Sequence, residues 1–81
     1  MATKRRAGRR KPRAMSLVRF DFDGLPRSYH RRYPFRRGAT YVFLGEIANM
    51  GGHCVVADAR TGRVYTGYHT ETFAEIPRDE V

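Results

Sequence analysis

The chain has no tryptophan, one cysteine, two lysines beside fourteen arginines, and no acidic residue before Asp21. A single cysteine excludes an internal disulfide, so oxidation cannot staple the fold and a reducing compartment is the expected setting. No uninterrupted apolar run approaches the roughly 18 to 20 residues that span a bilayer, so no membrane partner is expected. The basic N-terminus is not followed by the apolar segment of a secretory signal. The paired arginines at 5–6 and 9–10 lack that segment too, which disfavours a twin-arginine export signal. An Arg-rich organellar transit peptide stays open as an alternative for the first 20 residues. Helical periodicity is missing over any useful length. With 81 residues there is room for one small domain with a thin core, and little for the deep pocket of a sizeable enzyme.

What is present is charge, and it is unevenly spread. The formal net charge is +8. Residues 1–37 hold 13 basic and 2 acidic side chains, while residues 38–81 hold 3 and 6. The halves are therefore different kinds of polymer. Residues 1–14, MATKRRAGRRKPRA, contain seven basic residues and almost nothing to bury; such a segment is expected to be a disordered arm when free. Residues 15–37 begin with MSLVRFDFDG, whose alternation of Leu17 or Val18, Phe20 and Phe22 with Arg19, Asp21 and Asp23 reads as a short strand closed by an Asp23-Gly24 turn. An extended connection is expected next, because Pro26 and Pro34 oppose regular helix. In it Tyr29, His30, Tyr33 and Phe35 sit among Arg27, Arg31, Arg32, Arg36 and Arg37.

From Thr40 onward the pattern is β. TYVFLGEI, HCVVADA, RVYTGYH and FAEIP are separated by short Gly-containing loops, which predicts antiparallel hairpins with Gly62 in the left-handed position of a bulged turn. One short helical turn is expected at Thr70–Thr72. Alternation places Val42, Leu44, Cys54, Val56, Val64 and Ile76 on the inner face, with Phe43, Ile47, Val55, Tyr65, Tyr68 and Phe73 at the ends or on the other side. About 44 residues is near the lower limit for independent folding, so the strand around Phe20 is expected to join as a fifth. The expected fold is all-β: a small, five-stranded, partly open barrel over residues 38–81 with the help of residues 15–37.

The series RRGATYVFLGEI, GGHCVVADARTGRVYTGYH and FAEI, over roughly residues 36–77, resembles the SH3-like small barrels, including the KOW and Tudor-type domains. A Gly before the first long strand, a TG turn between the middle strands and a final F-x-x-I strand carry the resemblance. It implies a fold and no particular ligand, since such barrels bind RNA, DNA, peptides or modified tails. Length and style also suggest a small phage-type or accessory protein.

Two stretches invite catalytic readings. Phe20-Asp21-Phe22-Asp23-Gly24 resembles the first motif of the haloacid dehalogenase phosphatases, but Leu25 stands where Thr is expected and the chain has no space for the rest of that site. Gly51-Gly52-His53-Cys54 pairs the one cysteine with a histidine. Adjacent strand residues face opposite ways, so His53 is not placed to activate Cys54. Cys54, His53, His69 and His30 show no recognised metal-ligand spacing. Cys54 reads as a small buried hydrophobe and His69 as a loop organiser or a rim residue beside Tyr65 and Tyr68. No catalytic residue, metal or cofactor is expected.

The strongest signal is electrostatic. Arg5, Arg6, Arg9, Arg10, Lys11 and Arg13 are expected to contact RNA or DNA phosphates and release counterions. Arg31, Arg32, Arg36 and Arg37, with Tyr33 and Phe35, are expected to form a second contact in which aromatic faces stack on bases. The competing expectation is that residues 27–37 wrap the barrel with aromatics inward while the arginines neutralise the acidic half. A non-enzymatic nucleic-acid-associated protein is thus weighed against a protein-interaction module docking through a barrel face or edge. Either suits a cytoplasmic setting associated with nucleoid, phage or ribonucleoprotein, or a nuclear one in a eukaryote.

Overall fold

In a computed structural model, residues 11–80 are described; the expected contacts Arg5, Arg6, Arg9 and Arg10 lie outside them. Five strands form one antiparallel sheet: β1 (Leu17–Phe20), β2 (Tyr41–Glu46), β3 (His53–Asp58), β4 (Val64–His69) and β5 (Phe73–Glu75). Their order is β4-β3-β2-β1-β5. The sheet is not closed, and β4 and β5 are its edges. β1 lies between β2 and β5, with Val18 opposite both Tyr41 and Glu75. The early strand is therefore an interior element of the sheet.

The turns follow local chemistry. Gly62 takes φ +80° in the β3–β4 hairpin, and Thr70–Thr72 forms a single 3-10 turn, both as the sequence predicts. The segment after β1 differs from expectation. β1 ends at Phe20, and Phe22–Gly24 is a 3-10 turn capped by the Asp21 carboxylate, which accepts from the Gly24 N–H. Arg27–Arg32 is a 3-10 helix and not an extended connection. Prolines at 26 and 34 bound this helix without entering it: Pro26 supplies the fixed φ of its N-cap, −58°, and the Pro26 carbonyl accepts from the Tyr29 N–H at 2.9 Å. Proline opposes a helix interior but favours its start.

Two bulges bend the sheet. Pairing of β2 with β3 slips between Phe43 and Gly45, and pairing of β3 with β4 slips opposite Thr66 and Tyr68. Each extra residue is accommodated beside or at a glycine in the left-handed half of the map, Gly45 at φ +140° and Gly67 at φ +91°, a conformation other residues rarely adopt.

The core comprises Val18, Phe20, Phe22, Phe35, Tyr41, Phe43, Cys54, Val56 and Phe73, with Leu25, Tyr33, Tyr65 and Tyr68 packed against it. This corrects the expected inner face. Cys54, Val56 and Ile76 are buried, but Leu44 is 38% and Val64 57% exposed, and Tyr41 and Phe43 point inward in place of Val42 and Leu44. All four positions from 41 to 44 are apolar, so the pattern cannot choose between faces; with Tyr41 and Phe43 inward, alternation leaves Leu44 outward. Residues 11–14, assigned from sequence to the free arm, lie against the sheet. Pro12 is buried, the Arg13 guanidinium pairs with Glu75, Lys11 pairs with Glu46 at 3.4 Å, and the Ser16 hydroxyl donates to the Arg13 carbonyl at 2.6 Å.

This inner face makes a quantitative prediction. Phe43→Ala and Phe35→Ala should each lower the unfolding free energy in urea titrations by about 3–5 kcal/mol, whereas Leu44→Ala should cost no more than about 1 kcal/mol. Equal losses at Phe43 and Leu44 would refute the assigned face of β2.

Candidate nucleic-acid interface

The expected second contact divides into three parts. The first is the 3-10 helix at Arg27–Arg32. Its inner side is fixed by His30, whose Nε2 lies 3.1 Å from the Leu25 carbonyl oxygen and whose ring meets Phe22 edge-on at 5.2 Å. Arg27, Tyr29, Arg31 and Arg32 are exposed. In a 3-10 helix residues three apart are eclipsed, and the Arg32 guanidinium accordingly sits over the Tyr29 ring, 4.9 Å from its centroid. None of the five ion pairs among the described residues uses Arg27, Arg31 or Arg32.

The second part is aromatic and faces inward. Tyr33 is half-buried, its ring 4.8 Å from Phe20 and 6.1 Å from Tyr68. Phe35 is 5% exposed and contacts Phe20, Tyr41, Tyr65, Tyr68 and Phe73 at centroid distances of 4.8 to 5.3 Å. No face of Phe35 is left for a base, so it leaves the expected contact set and becomes a core residue. The exposed aromatic of this segment is Tyr29, at 41%.

The third part is Arg36 and Arg37, both exposed and both paired. Arg37 reaches Asp23 at 3.1 Å and lies over the Phe22 ring at 5.2 Å. Arg36 reaches Asp58 at 3.2 Å, while its backbone N–H donates to the Tyr41 hydroxyl at 3.0 Å. Asp58 is a residue the sequence reading passed over. Its Oδ1 accepts from the N–H groups of Arg60 at 2.7 Å and Thr61 at 3.1 Å, which shapes the hairpin leading to Gly62. Those hydrogen bonds, the Arg60 one above all, and the Arg36 and Arg60 charges hold the Asp58 carboxyl below its ordinary value, outweighing burial. An Asp four residues before a turn glycine was the available signal.

At the GGHC stretch the neighbouring side chains diverge as expected. Cys54 is 1% exposed, and burial, more than the nearby Glu46 charge, pushes its thiol up; a hydrogen bond with Thr70 acts the other way. A raised thiol is the opposite of an activated nucleophile. His53 turns instead toward His69, ring centroids 4.5 Å apart. Among the described residues no three or more His, Cys, Asp or Glu side chains gather as a metal site, and no helix is long and apolar enough to cross a membrane.

Compared with known proteins, the chain matches no family model, no curated protein and no solved structure.

Two outcomes check this local chemistry. The Asp58 carboxyl is held below an unfolded value near 3.9, so its stabilising effect is complete above about pH 4 and vanishes as pH falls through the lower folded value. The difference in melting temperature between wild type and Asp58→Asn should shrink below about pH 4; a gap constant from neutral pH into that range would refute the assignment. Cys54 should react with a thiol reagent more than about tenfold faster in denaturant than in the native protein, since both thiolate and access are lost on folding.

Proposed function

We propose that this is a small non-enzymatic protein that binds RNA or DNA, built on an SH3-like, partly open β-barrel. The observation that carries the reading is the exposed turn at Arg27–Arg32: three arginines outside every ion pair of the described residues, beside an exposed Tyr29. Guanidinium groups in fixed positions grip phosphates bidentately, and a tyrosine ring on the same turn offers a sequence-tolerant stacking face. The Arg-rich residues Arg5, Arg6, Arg9 and Arg10 add the sequence-independent electrostatic attraction that dominates such affinity. The strand order, with the first strand between the second and fifth, and the two glycine bulges support the barrel assignment.

A protein-interaction module is the second reading, favoured by β4, an edge strand whose Val64 is 57% exposed. Unpaired edge groups accept an added strand through main-chain hydrogen bonds. The readings differ in salt dependence, because strand addition is not driven by counterion release.

Binding of the full chain to single-stranded RNA, single-stranded DNA and duplex DNA, followed by fluorescence anisotropy across a salt series, tests the proposal. The double variant Arg31→Ser with Arg32→Ser should reduce the salt slope by about 1.4 to 1.8. Tyr29→Ala should weaken single-strand binding by about 1–3 kcal/mol and leave the slope unchanged. An arm truncation must begin at Lys11, because residues 11–14 dock on the sheet and a cut at Gly38 removes β1 and Phe35. Absence of salt-sensitive binding to all three nucleic acids would refute the proposal.

A further inference from the structure

The register of β3 and β4 sets His53 directly opposite His69. Their rings are 4.5 Å apart between centroids and inclined by 39°. His53 Nδ1 lies 3.3 Å from the Gly51 carbonyl oxygen. A carbonyl only accepts, so in the neutral ring this contact takes the proton on Nδ1 and leaves the Nε2 lone pair for a ligand. A backbone carbonyl holding the far nitrogen is also how proteins orient imidazoles that ligate metals. The hydrogen bonds of His69 run through its backbone, whose carbonyl accepts from the Thr72 hydroxyl. His69 is exposed and His53 half-buried, and β4 is an edge strand, so solvent reaches the pair.

We propose that His53 and His69 form a two-imidazole site for a borderline divalent transition ion of the Zn²⁺, Ni²⁺ or Cu²⁺ class, with water completing the coordination. Two nitrogens bound at about 2.0–2.1 Å to a tetrahedral ion lie about 3.3 Å apart, a separation that rings already in contact across one strand pair reach by side-chain rotation. The donor set selects the ion. Imidazole suits Zn²⁺, Ni²⁺ and Cu²⁺, whereas Mg²⁺ and Ca²⁺ require oxygen ligands. Among the described residues no third His, Cys, Asp or Glu side chain gathers with the pair, which leaves the site to nitrogen. No linear motif announces it, because the two histidines meet through strand register and not through spacing along the chain. Bound there, the ion would clamp the start of β3 to the end of β4, independently of any nucleic acid.

The test uses the full chain without a polyhistidine tag, titrated calorimetrically with zinc chloride and, separately, magnesium chloride. The expected result is one zinc ion per chain and no magnesium. His53→Ala and His69→Ala should each weaken zinc binding by about tenfold or more, while His30→Ala and Cys54→Ser leave it unchanged. A wild-type measurement guards against variants that disturb the hairpin: substoichiometric Ni²⁺ or Cu²⁺ should broaden amide resonances around His53 and His69 before all others. Absence of saturable zinc binding, an affinity indifferent to either histidine alone, or broadening centred on His30 or the N-terminus would overturn the proposal.

Discussion

The structure depends on one side chain that belongs to no strand. Phe35 leaves the connection between β1 and β2 and fills the concave face of the sheet, touching rings from β1, β2, β4 and β5. Aromatic pairs of this kind contribute about 0.5–1.5 kcal/mol each beyond their burial. Exposed ion pairs contribute about 0–1 kcal/mol. Packing therefore decides where residues 33–36 lie, and the charges follow. The N–H of Arg36 donates to the buried Tyr41 hydroxyl, so the polar tip of a core residue is satisfied by the same segment that supplies the plug. With Phe35 seated, the turn from Arg27 to Arg32 has a fixed C-terminal end, while His30 against Phe22 and the Leu25 carbonyl fixes its inner side.

The division of charge along the chain becomes a division in space. Lys11 with Glu46, Arg13 with Glu75, Arg19 with Glu80 and Arg36 with Asp58 each join a base from the first 37 residues to an acid from the rest. The acidic half thus neutralises ordered bases near the sheet. The excess positive charge of the described residues is left on Arg27, Arg31 and Arg32, and on Arg60 and Arg63 of the hairpin, where Arg63 lies over Tyr65. Neutralising a scaffold while leaving these two turns basic concentrates the attraction for a polyanion.

Much of this architecture was legible in the sequence, and the failures have identifiable causes. Three hairpin-linked strands, the turn at Thr70–Thr72 that leads to the last strand, and the positive φ of Gly62 followed from β-branched runs and turn glycines, which act locally. The need for a fifth strand followed from the small size of the remaining core. The face of β2 was not legible, because Tyr41, Val42, Phe43 and Leu44 are apolar on both parities and the choice between them rests on tertiary packing. Phe35 looked like a stacking residue because its neighbours are arginines; tertiary contacts from four strands put it inside. The docking of residues 11–14 was hidden for the same reason, since Glu46 and Glu75 are distant along the chain. Tyr29 and Phe35 have similar local contexts, and burial alone separates their roles.

The arginines expected to bind phosphate therefore differ in how readily they can change partner. Arg37 and Asp23 are both exposed, at 62% and 86% of their side-chain area, and a pair so solvated is held by about 0–1 kcal/mol. A phosphate can replace that carboxylate at little cost. Arg36 is different. Its partner Asp58 is 6% exposed, and without Arg36 that carboxylate would keep the Arg60 and Thr61 N–H groups on Oδ1 but lose the donor on Oδ2. Drawing Arg36 toward a ligand would loosen the corner that joins the β3–β4 hairpin to the Phe35 segment. Arg31 and Arg32 carry no such constraint, and the Tyr29 ring already holds Arg32 close to the plane in which a base would stack. On the proposed function, the ordering from Arg31 and Arg32, through Arg37, to Arg36 runs from the guanidinium freest to meet a phosphate to the one most bound to the scaffold, and it is set by what each would leave behind.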